Sequence, residues 1–199
     1  MNTVDVWVDP LCPWAWITSR WLVEVERLGE AQVNFRVMSL AYLNRDKEMP
    51  PEYRAILTDG WKPVRVLTAT RLEFGPEHVR PLYEAIATRI HLEKHGLEVI
   101  DEVISESLAA IGLPLSLASA GAEVDAELIR EHHAGMDQVG GEVGTPVISV
   151  GGVAFFGPVI TPAPKGDAAL QLWRGVQMVA STPGFFEIKR SRDKGPDFS

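Results

Sequence analysis

Strand character in this sequence is confined to its two ends, and that distribution restricts the fold more than any other feature. Residues 4–8 read Val-Asp-Val-Trp-Val, rich in β-branched and aromatic types, and predict a buried strand. Asp9-Pro10-Leu11-Cys12-Pro13 follows as a turn. A helix is expected over 14–28, with Trp14, Ile17, Trp21, Val25 and Leu28 at helical spacing and Gly29 ending it. The alternating run 33–38 predicts a second strand, and a β-α-β unit of this kind joins parallel strands. From about residue 50 to 139 only helical signals occur. They comprise one or two helices over 52–74 interrupted near Lys62-Pro63, and a helix from Pro76 to about Glu93. An amphipathic helix over 97–111, broken by Leu113-Pro114, and a helix over 124–139 closed by Gly140-Gly141 complete the block. Strand signals return at 146–150 and 153–156, joined by a Gly151-Gly152 hairpin turn, and a last amphipathic helix spans 167–180.

Neither end is long enough to close a core alone, so the two must share one sheet. The expectation is an α/β fold, β-α-β … β-β-α around a mixed sheet, with a large all-helical insertion. Residues 1–45 and 142–188 would form the sheet-containing domain and 46–141 the inserted helical domain. Phe185 and Phe186 are expected to dock, and the charged tail 189–199 is expected to fray.

Composition narrows the function classes. With 199 residues, 46% hydrophobic and 23% charged, the chain has the profile of a soluble globular protein. A net charge of −8 argues against nucleic-acid or anionic-membrane partners. No apolar run is long enough for a membrane span, and Met-Asn-Thr-Val-Asp carries no secretory n-region or h-region. The expected location is cytoplasmic. A single cysteine excludes an intramolecular disulfide and a cysteine-based zinc cluster. No Gly-rich phosphate loop, dinucleotide fingerprint or His-Glu-x-x-His occurs, so no nucleotide cofactor is indicated and no bound cofactor is expected.

Cys12 lies where the first strand hands over to the first helix. Free N–H groups at a helix start and the helix dipole both favour thiolate, the nucleophilic form of cysteine. Pro13 suits the first helical position because its missing N–H has no partner there anyway. The alternative is a cysteine that serves as a small core hydrophobe.

The segment Cys12-Pro13-Trp14-Ala15 resembles the Cys-Pro-x-Cys turn of thioredoxin-fold oxidoreductases, with Ala15 at the second cysteine's place. Gly144-Thr145-Pro146, opening a strand about 130 residues on, matches that fold's cis-proline position. The element order looks like the DsbA-like branch, which includes kappa-class glutathione transferases and 2-hydroxychromene-2-carboxylate isomerases. A narrower resemblance covers nearly the whole chain. Asp9–Trp14, Trp16–Trp21, Val37–Leu40, Arg89-Ile90-His91, His132–Asp137 and Val153–Pro158 are similar to the actinobacterial mycothiol-dependent nitroreductases. That resemblance implies a cytoplasmic thiol-disulfide oxidoreductase reduced by mycothiol or another low-molecular-weight thiol, with side activity toward nitroaromatic compounds.

One position departs from the family, which carries Cys-Pro-Trp-Cys. Ala15 leaves no resolving thiol, so a dithiol cycle is closed to this chain and a monothiol cycle is the expectation. Ala15 is also what a substitution made to trap a mixed disulfide would leave. Cys12 is the candidate catalytic residue, with Pro13, Trp14, Ala15, Thr145, Pro146 and His91 as candidate substrate-binding residues. Trp14 reads either as a stacking surface for an aromatic substrate or as first-turn packing. His132-His133 invites a metal reading, but neighbours on a helix point about 100° apart, so packing roles are favoured and no metal is expected. Asn44, Tyr53 and Trp61 lie where the resemblance implies a cover over the site. Arg20, Arg54 and Arg65 could pair a ligand carboxylate or simply face solvent. Two rival readings stay open. One is a thiol-cofactor enzyme like the kappa transferases and isomerases, and the other is a binding module without redox activity. A homodimer through the helical face is left open.

Overall fold

The computed structural model describes residues 2–199. Four strands form one mixed sheet in the order β2-β1-β3-β4. These are β1 (Asn2–Val8), β2 (Ala31–Val37), β3 (Val147–Val150) and β4 (Val153–Phe156). β1 pairs parallel with β2 and antiparallel with β3, and β3 pairs antiparallel with β4. Gly151 and Gly152 both take positive φ between β3 and β4, as a two-residue hairpin turn demands.

Register explains which side chains go where. Val4, Val6 and Val8 stand opposite Val33, Phe35 and Val37 of β2, and Val4 and Val6 also face Val150 and Ile148 of β3. All of them point into one apolar cluster. Trp7, one residue out of phase, points to the other face and joins Met38, Met136 and Val147 in a smaller cluster. β1 is therefore buried on both sides, which is why its sequence alternates only loosely.

Eight α-helices surround the sheet among the described residues. α1 (Pro13–Arg27) and α8 (Gly166–Ala180) pack together through Trp21 and Trp173, whose ring centroids are 6.2 Å apart, and Trp21 Nε1 donates to the Ala169 carbonyl. Between β2 and β3 lie α2 (Leu40–Leu43), α3 (Pro51–Asp59), α4 (Trp61–Phe74), α5 (Val79–His91), α6 (Ile100–Ala110) and α7 (Asp125–Met136). Tyr83 of α5 packs on Phe35 of β2 and Trp16 of α1, so this helical block shares the core of the sheet. α7 covers the other face. Its Gly135 lies directly on the Trp7 ring, where a Cβ would come within 2.5 Å of ring carbon.

Three expectations fail locally. The break in the 52–74 run falls at Gly60, not at Lys62-Pro63. Pro63 sits in the first turn of α4, where a missing N–H leaves no helix bond unmade. Phe185 docks on Phe155, but Phe186 stays in solvent at 85% exposure. The tail 189–199 does not fray. It returns across the molecule, with Arg192 over Trp14 and Phe198 stacked on His91.

Candidate active site

The turn between β1 and α1 is held by its own backbone and by one buried carboxylate. The Cys12 N–H donates to the Asp9 carbonyl. Asp9 Oδ1 accepts the Leu11 N–H at 2.8 Å, and Oδ2 accepts the Leu40 N–H at 2.7 Å, tying the turn to the start of α2. Asp9 is fully buried, and burial lifts its carboxyl from 3.8 to about 6 against the pull of the two N–H donors.

Cys12 is the N-cap of α1 and Pro13 is its first residue. The sulfur accepts the Ala15 N–H at 3.4 Å. Its own S–H donates to the Thr145 carbonyl at 3.3 Å, across 133 residues of sequence. The Thr145–Pro146 bond is cis, and Thr145 Oγ1 donates to the Trp7 carbonyl. Of the expected neighbours of Cys12, Ala15 lies beneath the sulfur, the carbonyl of Thr145, on the cis bond to Pro146, faces it, and Pro13 and Trp14 follow along the first turn.

The protonation state departs from expectation. Burial pushes the Cys12 thiol up to about 12, more than the Ala15 and Trp14 N–H groups pull it down, and the Asp9 charge adds to the rise. Cys12 is only 5% exposed. The helix terminus is in place, but in this closed arrangement it serves a neutral thiol that donates a hydrogen bond. Thiolate at this position would turn its charge on the Thr145 carbonyl oxygen.

His91 sits at the end of α5, buried, with Nε2–H donating to the Pro10 carbonyl at 2.9 Å. Burial lowers its pKa to about 4, so the ring is neutral near pH 7. It braces the turn behind Cys12 and makes no bond to the sulfur. His132 is a packing residue whose Nδ1 accepts the Ser39 N–H, and burial again takes its pKa down to about 4. His133 accepts the Tyr42 hydroxyl on Nε2 and donates from Nδ1 to Asp137. Asn44 caps back to the Leu40 carbonyl, Trp61 meets Tyr42 edge-on, and Tyr53 faces solvent. Arg20 pairs with Glu84 and Arg65 forks onto Asp125, while Arg54 donates to the Arg45 and Lys47 carbonyls. These arginines are occupied within the chain.

Sequence reasoning missed Asp9, Arg192 and Phe198 as parts of this site. The Asp-Pro step of Asp9-Pro10 is a turn-initiating signal that could have marked Asp9. The two tail residues carry no local signal.

A model of the family described as mycothiol-dependent nitroreductase Rv2466c matches residues 11–190. The chain belongs to that family. This makes it kin to thiol-dependent oxidoreductases. The chain is also similar to the uncharacterized protein Rv2286c of Mycobacterium tuberculosis, with 28% identity across 96% of this chain and 83% of the relative. Among solved structures it is similar to a probable DsbA oxidoreductase of Streptomyces coelicolor, with TM-score 0.58, 14% identity, and 99% and 97% of the two chains covered. A 2-hydroxychromene-2-carboxylate isomerase superposes with TM-score 0.59, 12% identity, and 89% and 95% covered. At such identities the likeness speaks for the thioredoxin-type, DsbA-like fold. Among the described residues no helix is long and apolar enough to cross a membrane.

Proposed function

We propose that this protein is a cytoplasmic thiol-disulfide oxidoreductase in which Cys12 works as a monothiol nucleophile. Mycothiol is the reductant, and disulfides or nitroaromatic compounds are the substrates. The observation that carries this reading is the setting of the sulfur. Sγ rests on the Ala15 N–H at the start of a 15-residue helix, faces Thr145 and the cis Pro146, and has no second thiol in the chain.

Once uncovered, the thiol loses its proton to solvent and attacks one sulfur of a substrate disulfide. A Cys12–sulfur bond forms, the substrate S–S bond breaks, and the other half leaves as a thiolate. Mycothiol then attacks the substrate-side sulfur, loses its own proton, and returns Cys12 as the thiolate. The products are a free thiol and a mixed disulfide. For a nitro group, two mycothiol thiols joining as one disulfide supply the two electrons and two protons that take nitro to nitroso and water.

A second reading is favoured by one feature. Cys12 donates to one carbonyl and accepts one N–H, as a serine hydroxyl would. Such a group could hold the thiolate of a thiol cofactor without forming a covalent bond. The Cys12→Ser variant separates the two in an assay of mycothiol-dependent disulfide reduction, with mass spectrometry of a mycothiol adduct on Cys12. The monothiol reading expects activity and adduct to vanish together. A Cys12→Ser variant that retains most of the activity overturns it and supports the cofactor reading.

A further inference from the structure

The tail 189–199 runs beside the turn that carries Cys12 and touches neighbours of that turn: Trp14 after it and His91 behind it. Before this stretch, Phe185 rests on Phe155 of β4, the strand next to β3 and Pro146. Arg192 then lies 5.3 Å above the Trp14 ring, two residues after Cys12. The Gly195 carbonyl and the Asp197 N–H bond the Thr161 hydroxyl, at 3.4 and 2.7 Å. Phe198 finally stacks on His91, with ring centroids 5.5 Å apart and planes 26° apart, and His91 bonds Pro10, two residues before Cys12. Asp197, Phe198 and Ser199 also wall a groove of about 280 Å³ floored by Trp16 and Ile17.

The anchors are weak and separable. Among the described residues none of the tail's charged side chains forms an ion pair, and Arg192 is held by a ring face alone. A cation over an aromatic ring is a small contribution at an exposed site, and Phe198, half-buried against the core beside His91, is the stronger anchor. Segments held by so few contacts are the ones that open locally without unfolding the core.

We propose that the C-terminal segment is a strap that closes over Cys12, and that a flat aromatic ring opens it by taking the place of Phe198 on His91. The strap guards a nucleophile only if Cys12 is one, so this inference rests on the proposed function. The covered thiol reacts in proportion to the fraction of molecules with the strap open. Weakening one anchor raises that fraction by a factor, and weakening both multiplies the factors.

The test is the rate of Cys12 alkylation by iodoacetamide at fixed pH, in the full chain, with no mycothiol present. Phe198→Ala and Arg192→Gln are each expected to raise the rate by about fivefold to tenfold, and the double variant by more. Phe198→Trp keeps a ring on His91 and is expected to stay near the native rate. Nitrobenzene is the probe for the competing ring. It should speed alkylation of the native chain and do little to Phe198→Ala, whose strap is already loose. Equal rates in the native, single and double variants overturn the strap. A rate rise matched by a fall in Tm also overturns it, because the core and not the strap would then have loosened. No effect of nitrobenzene on the native chain overturns the aromatic competition. A strap that releases Cys12 to iodoacetamide, in a protein that shows no mycothiol turnover, stands while the proposed function falls. A mycothiol adduct on Cys12 with alkylation rates unchanged by the variants does the reverse.

Discussion

Asp9→Asn tests the electrostatics of the site most directly. The native carboxyl is buried, and its folded-state pKa is lifted from 3.8 to about 6. An acid with a raised folded pKa holds its proton longer in the folded chain than in the unfolded one. The folded state therefore binds more protons between about pH 4 and 6, and stability falls as pH rises through that window. About two pH units correspond to about 3 kcal/mol lost by pH 7 relative to pH below 4. Asparagine carries no such charge. It also turns an N–H toward one of the two backbone donors, Leu11 or Leu40, and that loss costs about 1–3 kcal/mol at every pH. The constant cost drops out of the pH dependence. Urea unfolding of both proteins at pH 4 and pH 7 should show Asp9→Asn gaining about 2 kcal/mol on the native protein over that interval. The same change removes a negative charge that holds the Cys12 thiol up, so the alkylation profile of Cys12 should move to lower pH. A stability difference that does not vary with pH refutes the reasoning. A native protein that gains on the variant as pH rises refutes it more sharply, because the two N–H donors would then outweigh burial.

Three other outcomes follow from packing and local geometry. Gly135→Ala places a Cβ within 2.5 Å of the Trp7 ring, so α7 must shift; a cost of about 1–3 kcal/mol is expected in thermal unfolding, and an unchanged Tm would disprove the close approach. Trp21→Phe keeps most of a fully buried side chain but removes its indole N–H bond to the Ala169 carbonyl, which retains its helical partner in α8, so a loss of about 0.5–1.5 kcal/mol is expected in urea unfolding beyond that of the smaller ring; a neutral result would show that the bond adds nothing to stability. Ala15→Cys introduces a thiol on the first turn of α1 beside Cys12. Mild oxidation should take its titratable thiols in denaturant from two to none, whereas two surviving thiols would mean that positions 12 and 15 cannot close a bond.

The order of elements was readable from residue types because each boundary has a local cause. β-branched and aromatic residues mark the strands, Gly29 follows the end of α1 at positive φ, and the Gly151-Gly152 pair turns the hairpin, whereas α7 stops at Met136, short of the end at 139 that Gly140-Gly141 suggested. The helix break at Gly60 was misplaced because a proline in a first turn is harmless while the same proline a turn later would not be. Cys12, Thr145 and Pro146 were legible as one site through their motifs. The state of the thiol was not. A local reading sees the helix N-terminus, which favours thiolate. It does not see the Thr145 carbonyl, brought from 133 residues away, the charge of buried Asp9, or the near-complete burial of the sulfur. The tail failed for the same reason. A charged, apolar-poor stretch has no internal reason to order, and Phe198 finds order only on His91, far away in sequence.

These two failures have a common physical content. A cysteine without a resolving partner has no internal way to discard an unwanted mixed disulfide or to stop oxidation past the sulfenic stage. A permanently exposed thiolate at position 12 would therefore be trapped by whatever disulfide or oxidant reached it first. Holding the group as a neutral thiol, donating to Thr145 and covered to 5% exposure, removes both its nucleophilicity and its access. The Ala15 N–H and the start of α1 remain directly beneath the sulfur, so hydration of the pocket removes the largest effect that opposes those donors, burial, and leaves the smaller one, the charge of Asp9. In a dithiol enzyme the second cysteine limits the lifetime of each adduct. In the monothiol cycle proposed for this chain, burial supplies the restraint before the reaction, and a second small thiol supplies the release after it. On that proposed cycle the alanine at position 15 and the burial of Cys12 work together, and Ala15→Cys should make the cover dispensable for mycothiol-dependent disulfide reduction.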